Sequence, residues 1–302
     1  MGVWMGFCFP DAPKGESMGK TAETVAERQK IEQAVAAAGE AARRVGPMAG
    51  SITNTVTVNF VANAQLAVGG SAAMVYLPDE AEAIARAGGA TYINVGTLLP
   101  VYAQTVPAVT KTLNALGRPW VLDPVAIGIG ALRTELLAGM KPYKPAIIRG
   151  NASEIIALAG LWGLDGGAAD SGVRGVDATD SVQAAKDAAV ALARHTGGAV
   201  AVSGKTDLVT DGRVAARSHG GSPMMARVTG CGCSLGGVAA VYAAVAEPFA
   251  AALAATAAYN LAGRQAAEKA AGSGSFQMHF IDALYRLTGN AIAANPFDLE
   301  EV

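Results

Sequence analysis

Apolar positions along the chain fall into two rhythms. Short runs rich in β-branched residues at 73–77, 91–95, 120–123, 146–149 and 199–203 read as strands. Between them, residues 52–68, 79–87, 101–116, 134–140, 152–158 and 181–195 carry apolar side chains at helical spacing. Pro107 lies early in the third of these and is expected to start or kink that helix. Ahead of the alternation, residues 21–45 read as an amphipathic helix with Ile31, Val35 and Ala38 on one stripe. Strands that are apolar throughout and separated by helices predict an α/β fold: three layers, with a mostly parallel central sheet flanked by helices on both faces.

The second half changes character. Asp211-Gly212 between apolar residues at 208–214 predicts a hairpin at the sheet edge. A Gly-rich loop follows at 219–232, then helices at 233–244, 248–271 and 275–287. The Ala-rich stretch 236–258 reads as two buried helices, broken at Glu247 and Pro248. Residues 1–20 read as a poorly ordered leader; they lack the basic start and sustained apolar core of a signal peptide, and Met18 is an alternative start. No linker or repeat divides the rest, so 21–302 is expected to be a single domain.

Composition narrows the function classes. Lys and Arg number 23 against 25 Asp and Glu, a net charge of −2 in 302 residues, which argues against a nucleic-acid partner. With 51% apolar and 16% charged residues the chain is not a disordered one. No apolar run reaches the ~18 residues of a membrane span. Three cysteines, Cys8, Cys231 and Cys233, do not make a disulfide framework and point to the reducing cytoplasm.

In an open parallel sheet, ligands bind beyond the carboxyl ends of the strands, and the candidate chemistry falls there. Val228-Thr229-Gly230-Cys231-Gly232-Cys233 leads directly into a helix. Glycines let backbone approach a ligand, and N–H groups at a helix start hold anions, so a phosphoryl group is a natural guest. Without Gly-Lys-Ser/Thr it is no P-loop, and without the third glycine it is no dinucleotide fingerprint. Cys233 in the first turn would have its thiol pKa lowered by the helix dipole and could take a proton from an alcohol; the competing reading is a small residue packed under the loop. A structural metal at Cys-Gly-Cys is disfavoured for want of further ligands.

Other strand ends add carboxylates and amides. Asp123 closes Trp120-Val121-Leu122-Asp123, and Asn94-Val95-Gly96-Thr97 makes a tight turn nearby. Asn151 and Glu154 stand as a capping box, which does not preclude function. Two carboxylates and an amide at adjacent strand ends suit Mg2+. Upstream, Asn59 and Asn63 share a helix face behind Asn54, with Ser51 and Thr53 as capping candidates; amides there suit a small heteroaromatic ring, although capping and solvent exposure explain them as well.

Together these motifs resemble the hydroxyethylthiazole kinases, ribokinase-like enzymes of thiamine salvage. The resemblance covers about residues 45–287: Ile52-Thr53-Asn54 with Asn59 and Asn63, the small-residue turn 69–74, Asn94 to Thr97, Asp123 to Gly128, Arg149 to Glu154, Arg174-Gly175-Val176-Asp177, Ser203 to Asp207, His219-Gly220-Gly221, the Gly-Cys-Gly-Cys turn and Gly274-Ser275-Phe276. It implies transfer of the ATP γ-phosphoryl group, with Mg2+, to the primary alcohol of 4-methyl-5-(2-hydroxyethyl)thiazole. Cys233 then stands where most ribokinase-like enzymes place an Asp base. Met74, Gly230 and the helix bearing Asn54, Asn59 and Asn63 would meet the thiazole. Arg133, Ser203, Asn151 and Gly232 would meet ATP, and Asp123 and Glu154 would act on Mg2+ and its waters. A homotrimer with the thiazole site between subunits is also implied. The chain departs from the family pattern at Cys231, where Thr or Ala is usual, at Gly70-Ser71-Ala72-Ala73, which lacks a proline, and in its leader.

Three rivals share much of this pattern. A kinase of another small alcohol, of hydroxymethylpyrimidine or pyridoxal type, and a dehydratase of hydrated nicotinamide nucleotides would each keep Asp where Cys233 stands. A non-catalytic metabolite-binding protein would tolerate loss of the carboxylates and turn glycines, which are present here.

Overall fold

A computed structural model of the chain describes residues 16–168 and 181–302. Cys8, most of the expected leader and the Arg174-Gly175-Val176-Asp177 motif lie outside the described residues. The first helix, α1 (Glu16–Val45), begins within the segment expected to be leader.

Among the described residues nine strands form one sheet in the order β2-β1-β3-β4-β5-β6-β7-β8-β9. Strands β1 (Met48–Ile52), β2 (Ser71–Met74), β3 (Ala90–Asn94), β4 (Trp120–Asp123), β5 (Ile147–Asn151) and β6 (Ala199–Ser203) run parallel. Beyond them β7 (Asp207–Thr210), β8 (Val214–Ser218) and β9 (Phe297–Glu301) pair antiparallel. The Asp211-Gly212 turn joins β7 to β8, with Asp211 Oδ1 accepting from the N–H groups of Arg213 and Val214 at 2.8 Å each.

Successive strand residues serve opposite layers, as the period of two demands. Tyr92, Val121, Ile147 and Ala201 belong to one core. It is completed by α1, α2 (Val58–Ala67), α8 (Cys231–Ala243), α9 (Pro248–Ala267), α10 (Ser273–Arg286) and α11 (Gly289–Ala293). Ile93, Leu122, Ile148 and Val202 belong to the other, under α3 (Pro78–Ala87), α4 (Tyr102–Leu116), α5 (Ala131–Met140), α6 (Ala152–Leu161) and α7 (Lys186–Thr196). This is the three-layer α/β/α arrangement.

Several local expectations are corrected. Residues 52–68 are not one helix: Met48–Ile52 is an interior strand, and α2 starts only at Val58. Met-Ala-Gly-Ser-Ile has a single β-branched residue, so sheet context rather than propensity makes it a strand. The strand expected at 73–77 lies at Ser71–Met74. The acidic Phe-Asp-Leu-Glu-Glu of β9 gives little apolar signal; it is held at the edge by pairing with β8 and by Arg217 on Glu300 at 3.0 Å. Pro107 lies inside α4 and does not start it.

Candidate active site

The parallel register sets the functional strand ends side by side. Asn94 pairs with Asp123, and Asn151 pairs with Ser203. The chain leaving β1 enters at the same end with Thr53 and Asn54. These strands stop here because the segments that follow turn: Gly96 N–H bonds back to Asn94 Oδ1 at 2.9 Å, and Asn151 caps α6.

Asp123 is fully buried at the centre. Its Oδ2 accepts from the Tyr92 hydroxyl at 2.8 Å, from Asn94 Nδ2 at 3.1 Å and from Arg149 Nη1 at 3.2 Å. The Arg149 guanidinium also donates to Ser203 Oγ at 3.2 Å, and its Nε is buried without a partner. Burial pushes the Asp123 carboxyl up, while Arg149, Tyr92 and Asn94 pull it down. Burial disfavours the Arg149 charge, but Asp123 and Glu154 more than offset this and hold it protonated.

Above this ion pair stands the start of α8. Gly230 caps the helix with φ 92°, a conformation open to glycine. A Cβ on Gly232 would stand 3.0 Å from Arg149 Nη2, so the backbone rests on the guanidinium because position 232 has no side chain. The first-turn N–H groups of a helix have no partners within it. Cys231 N–H bonds to the Val228 carbonyl at 3.4 Å, while position 232 rests on the buried guanidinium; the N–H groups of Gly232 and Cys233 with that cation can make a floor for an anion.

Cys233 is half-buried on the same turn. Asn54 Nδ2 donates to its Sγ at 3.5 Å and to Asn94 Oδ1 at 3.2 Å. Asn54 Oδ1 in turn accepts from the N–H and hydroxyl of Thr57, both at 3.1 Å. The thiol is therefore tied through two amides to Asp123. The expectation of a lowered thiol pKa is corrected: burial first, then the Asp123 charge, push it up, against Arg149 and the bonds from Thr57 and Asn54. Cys233 is a neutral thiol in this setting. Cys231 is buried and its thiol is pushed up to about 12; both cysteines are free.

The remaining sequence candidates divide. The capping box at Asn151 and Glu154 is real: Asn151 Oδ1 accepts from Glu154 N–H, and Glu154 Oε2 accepts from Asn151 N–H, each at 2.9 Å. Glu154 Oε1 also accepts from Ala126 N–H at 3.3 Å, in a loop where Ala126 holds φ 58°. Strain of that kind collects at functional loops. Arg133 spends its guanidinium on backbone, donating to the carbonyls of Val95 at 2.8 Å and of Ile129 and Gly96. It buttresses the Asn94–Thr97 turn, and Arg149 is the guanidinium under the anion floor. Asn59 and Asn63 do share a face of α2, but they are exposed and bond to each other at 3.0 Å, apart from the Asn54 network. Met74 ends the edge strand β2 half-buried against the core that also takes Cys233.

Reasoning from sequence gave Arg149, Tyr92 and Thr57 no role. The signal available for Arg149 was an arginine within a strand destined to be buried, one position before a glycine. Tyr92 carried none, since an aromatic in a strand reads as core.

Direct metal ligation at Asp123 does not fit this geometry, because the carboxylate is closed off and engaged by three donors. Glu154 is 7% exposed, and one backbone N–H on each oxygen leaves it lone pairs for a metal-bound water. Among the described residues no group of three or more His, Cys, Asp or Glu is placed to hold a metal ion. No helix among them is long and apolar enough to cross a membrane.

Known proteins share this fold and much of this sequence. A solved hydroxyethylthiazole kinase from Pyrococcus horikoshii OT3 superposes with a TM-score of 0.77 at 32% identity, over 89% of this chain and 98% of that one. A Staphylococcus aureus pyridoxal kinase in complex with ADP shares the fold at a TM-score of 0.54 and 16% identity, over 72% and 88% of the two chains. In sequence, the hydroxyethylthiazole kinase of Bifidobacterium longum (strain DJO10A) is 49% identical over 298 residues, 92% of this chain and 95% of its own length. That of Cereibacter sphaeroides (strain KD131 / KCTC 12085) is 46% identical over 250 residues, 83% and 92% of the two. Residues 40–290, which hold every strand end of the site, match the profile of the Hydroxyethylthiazole kinase family, and to that family the chain belongs.

Proposed function

We propose that the protein transfers the γ-phosphoryl group of ATP to the primary alcohol of 4-methyl-5-(2-hydroxyethyl)thiazole, a step of thiamine biosynthesis and salvage. The observation that carries this reading is the anion floor: Arg149 packed beneath Gly232, at the start of α8 and next to Cys233. Phosphoryl transfer passes through a loose transition state, so positioning and charge neutralisation matter more than covalent chemistry.

Arg149 and the N–H groups of Gly232 and Cys233 would take the phosphate oxygens, with Ser203 at the nucleotide side. Asp123 keeps Arg149 charged and aimed. Mg2+ enters as the complex with ATP, as part of the substrate, where it neutralises phosphate charge; Glu154 suits its waters. Asn54 and Thr57 orient Cys233, whose neutral thiol would align the substrate hydroxyl; as the new P–O bond forms and the bond to ADP breaks, the hydroxyl proton would pass to an oxygen of the transferred phosphoryl group. Gly230 and Met74 would border the ring.

A homotrimer belongs to the same proposal. Leu66, 54% exposed, shares the outer face of α2 with Asn59 and Asn63; Val56 just before that helix and Met278 on α10 are 65% and 55% exposed. A second copy covering that face would bring the two amides towards a thiazole between subunits. A cytoplasmic location follows from the ATP requirement and the two free thiols, and no nucleic-acid or membrane partner is proposed.

The test is ATP consumption by the purified protein with Mg2+, with hydroxyethylthiazole, with hydroxymethylpyrimidine, and with neither. Thiazole-dependent turnover is the expected result. Turnover with the pyrimidine alone would overturn the substrate, and thiazole binding without turnover would leave a binding protein.

A further inference from the structure

Asp207 lies outside the machinery described so far. It opens β7 just after the turn that leaves Ser203. Its Oδ1 accepts the Gly204 N–H at 2.8 Å, closing that turn on itself. Its Oδ2 accepts from Asn260 Nδ2 at 2.9 Å. Asn260 is 5% exposed in the otherwise alanine-rich α9, where packing alone gives no reason for an amide. The same Nδ2 donates to Ser218 Oγ at 3.0 Å, and Asn260 carbonyl oxygen accepts from Gly221 N–H at 2.9 Å. Asn295 completes the chain, donating to Ser218 Oγ at 3.2 Å and to the His219 carbonyl at 3.0 Å.

This polar chain runs along one end of the sheet. Sheet pairing sets Ser203 beside Asn151 and Asp207 beside Ser218. It therefore ties the turn after Ser203 to the Gly220-Gly221 loop and to α9, on the side of the site away from Asn54 and Cys233. Ser203 is in turn the partner of Arg149. Burial raises the Asp207 carboxyl to about 6, against the pull of Gly204, Asn260 and Arg149. A carboxylate kept at that cost, when a hydroxyl or amide would close a turn as well, marks a geometric demand.

We infer that Asp207 and Asn260 form a strut that fixes the Ser203–Gly204 edge of the nucleotide side, so that Asp207 is a positioning residue for ATP and not for the thiazole. The inference rests on the kinase reading above. Breaking the strut frees Ser203 and one face of Arg149, and leaves the Asn54–Cys233 side untouched.

The test is steady-state kinetics with both substrates varied, together with calorimetric titration of ADP, on the full chain. Asp207→Asn sets two amide donors against each other at Asn260. It is expected to raise the ATP KM about tenfold with the thiazole KM within about twofold, the size of one lost positioning contact. The exchanged pair Asp207→Asn with Asn260→Asp restores donor to acceptor and should return the ATP KM towards normal. Ser218→Ala removes one hydroxyl, keeps both partners of the strut, and should raise the ATP KM about threefold; it decides the matter if Asp207→Asn does not fold. An unchanged ATP KM, or an equal rise in both KM values, overturns the strut. If the wild type shows no thiazole-dependent turnover, the kinase reading fails separately. The ADP titration then still judges the strut, since weaker ADP binding in the variants supports it and equal binding overturns it.

Discussion

At the scale of single residues, the site is governed by what burial does to charge. Cys233 lies at a helix start, which by itself would favour thiolate, but burial and the Asp123 carboxylate push its pKa up against the pull of Arg149, Thr57 and Asn54. Raising a thiol pKa shrinks the thiolate fraction at any given pH. A neutral thiol that only positions the hydroxyl leaves kcat nearly flat from about pH 7 to 8.5, whereas a required thiolate with a raised pKa would make kcat climb with pH through that range. Cys233→Ala should lower kcat by about 10- to 100-fold with little change in the thiazole KM. A wild-type limb centred below about pH 8 that disappears in the variant would return Cys233 to the role of a full base. Gly232 carries the other residue-scale prediction. The Cβ of Gly232→Ala would stand 3.0 Å from Arg149 Nη2, so the guanidinium must give way at the nitrogen that donates to Ser203, while the Asp123 pair through Nη1 can persist. The ATP KM should rise about tenfold with a small loss of Tm. Arg149→Ala is different, because it strands Asp123 without its cation and should cost about 3–5 kcal/mol of stability, read by denaturant unfolding.

At the scale of elements, legibility followed how much of the signal was local. The strands at 91–95, 120–123 and 199–203 are mostly apolar up to the Asn94, Asp123 and Ser203 at their carboxyl ends, and their structural counterparts match to within a residue. Met48–Ile52 and Phe297–Glu301 escaped because small and acidic residues become strands only through their neighbours. The capping box at Asn151 was legible, since its spacing is its mechanism. The Asn94–Asn54–Cys233 chain was not, because three separate elements meet in it. Pro107 gives a prediction at this scale. It is exposed and sits at the sixth position of α4, where its missing N–H leaves the Ala103 carbonyl without its helical partner. Pro107→Ala should restore that bond and raise Tm by a few degrees, at about 2–4 °C per kcal/mol for a chain of this size. An unchanged or lower Tm would mean that the proline's restriction of the unfolded chain outweighs the lost bond.

At the scale of the whole molecule, the sheet puts one chemistry on each side of Arg149. Asp123, Asn94, Asn54 and Cys233 lie towards β1, and Ser203 and the Asp207 strut lie towards β7. The alternation of helix and strand predicted that strand ends would gather, but their lateral order depends on register, which sequence periodicity does not contain. The outer face of α2 follows the same division, for it belongs to the Cys233 side. Gly230 is its link to the site, since a Cβ there would stand 3.0 Å from Phe60 Cδ1 and 3.2 Å from Thr57 Cβ. If a second copy covers Val56, Leu66 and Met278, a charge placed there must be buried unpaired at each interface and should be rejected. Leu66→Asp is therefore expected to shift the mass measured by light scattering from trimer to monomer. The side chain it replaces is 54% exposed in the single chain, so the monomer should keep its fold and Tm near the parent's. With the trimer lost, thiazole saturation should weaken at least tenfold while ADP binding, on the far side of Arg149, changes little. A monomeric wild type, or a monomeric variant with an unaltered thiazole KM, would place the whole thiazole site within one subunit and leave Asn59 and Asn63 as surface residues.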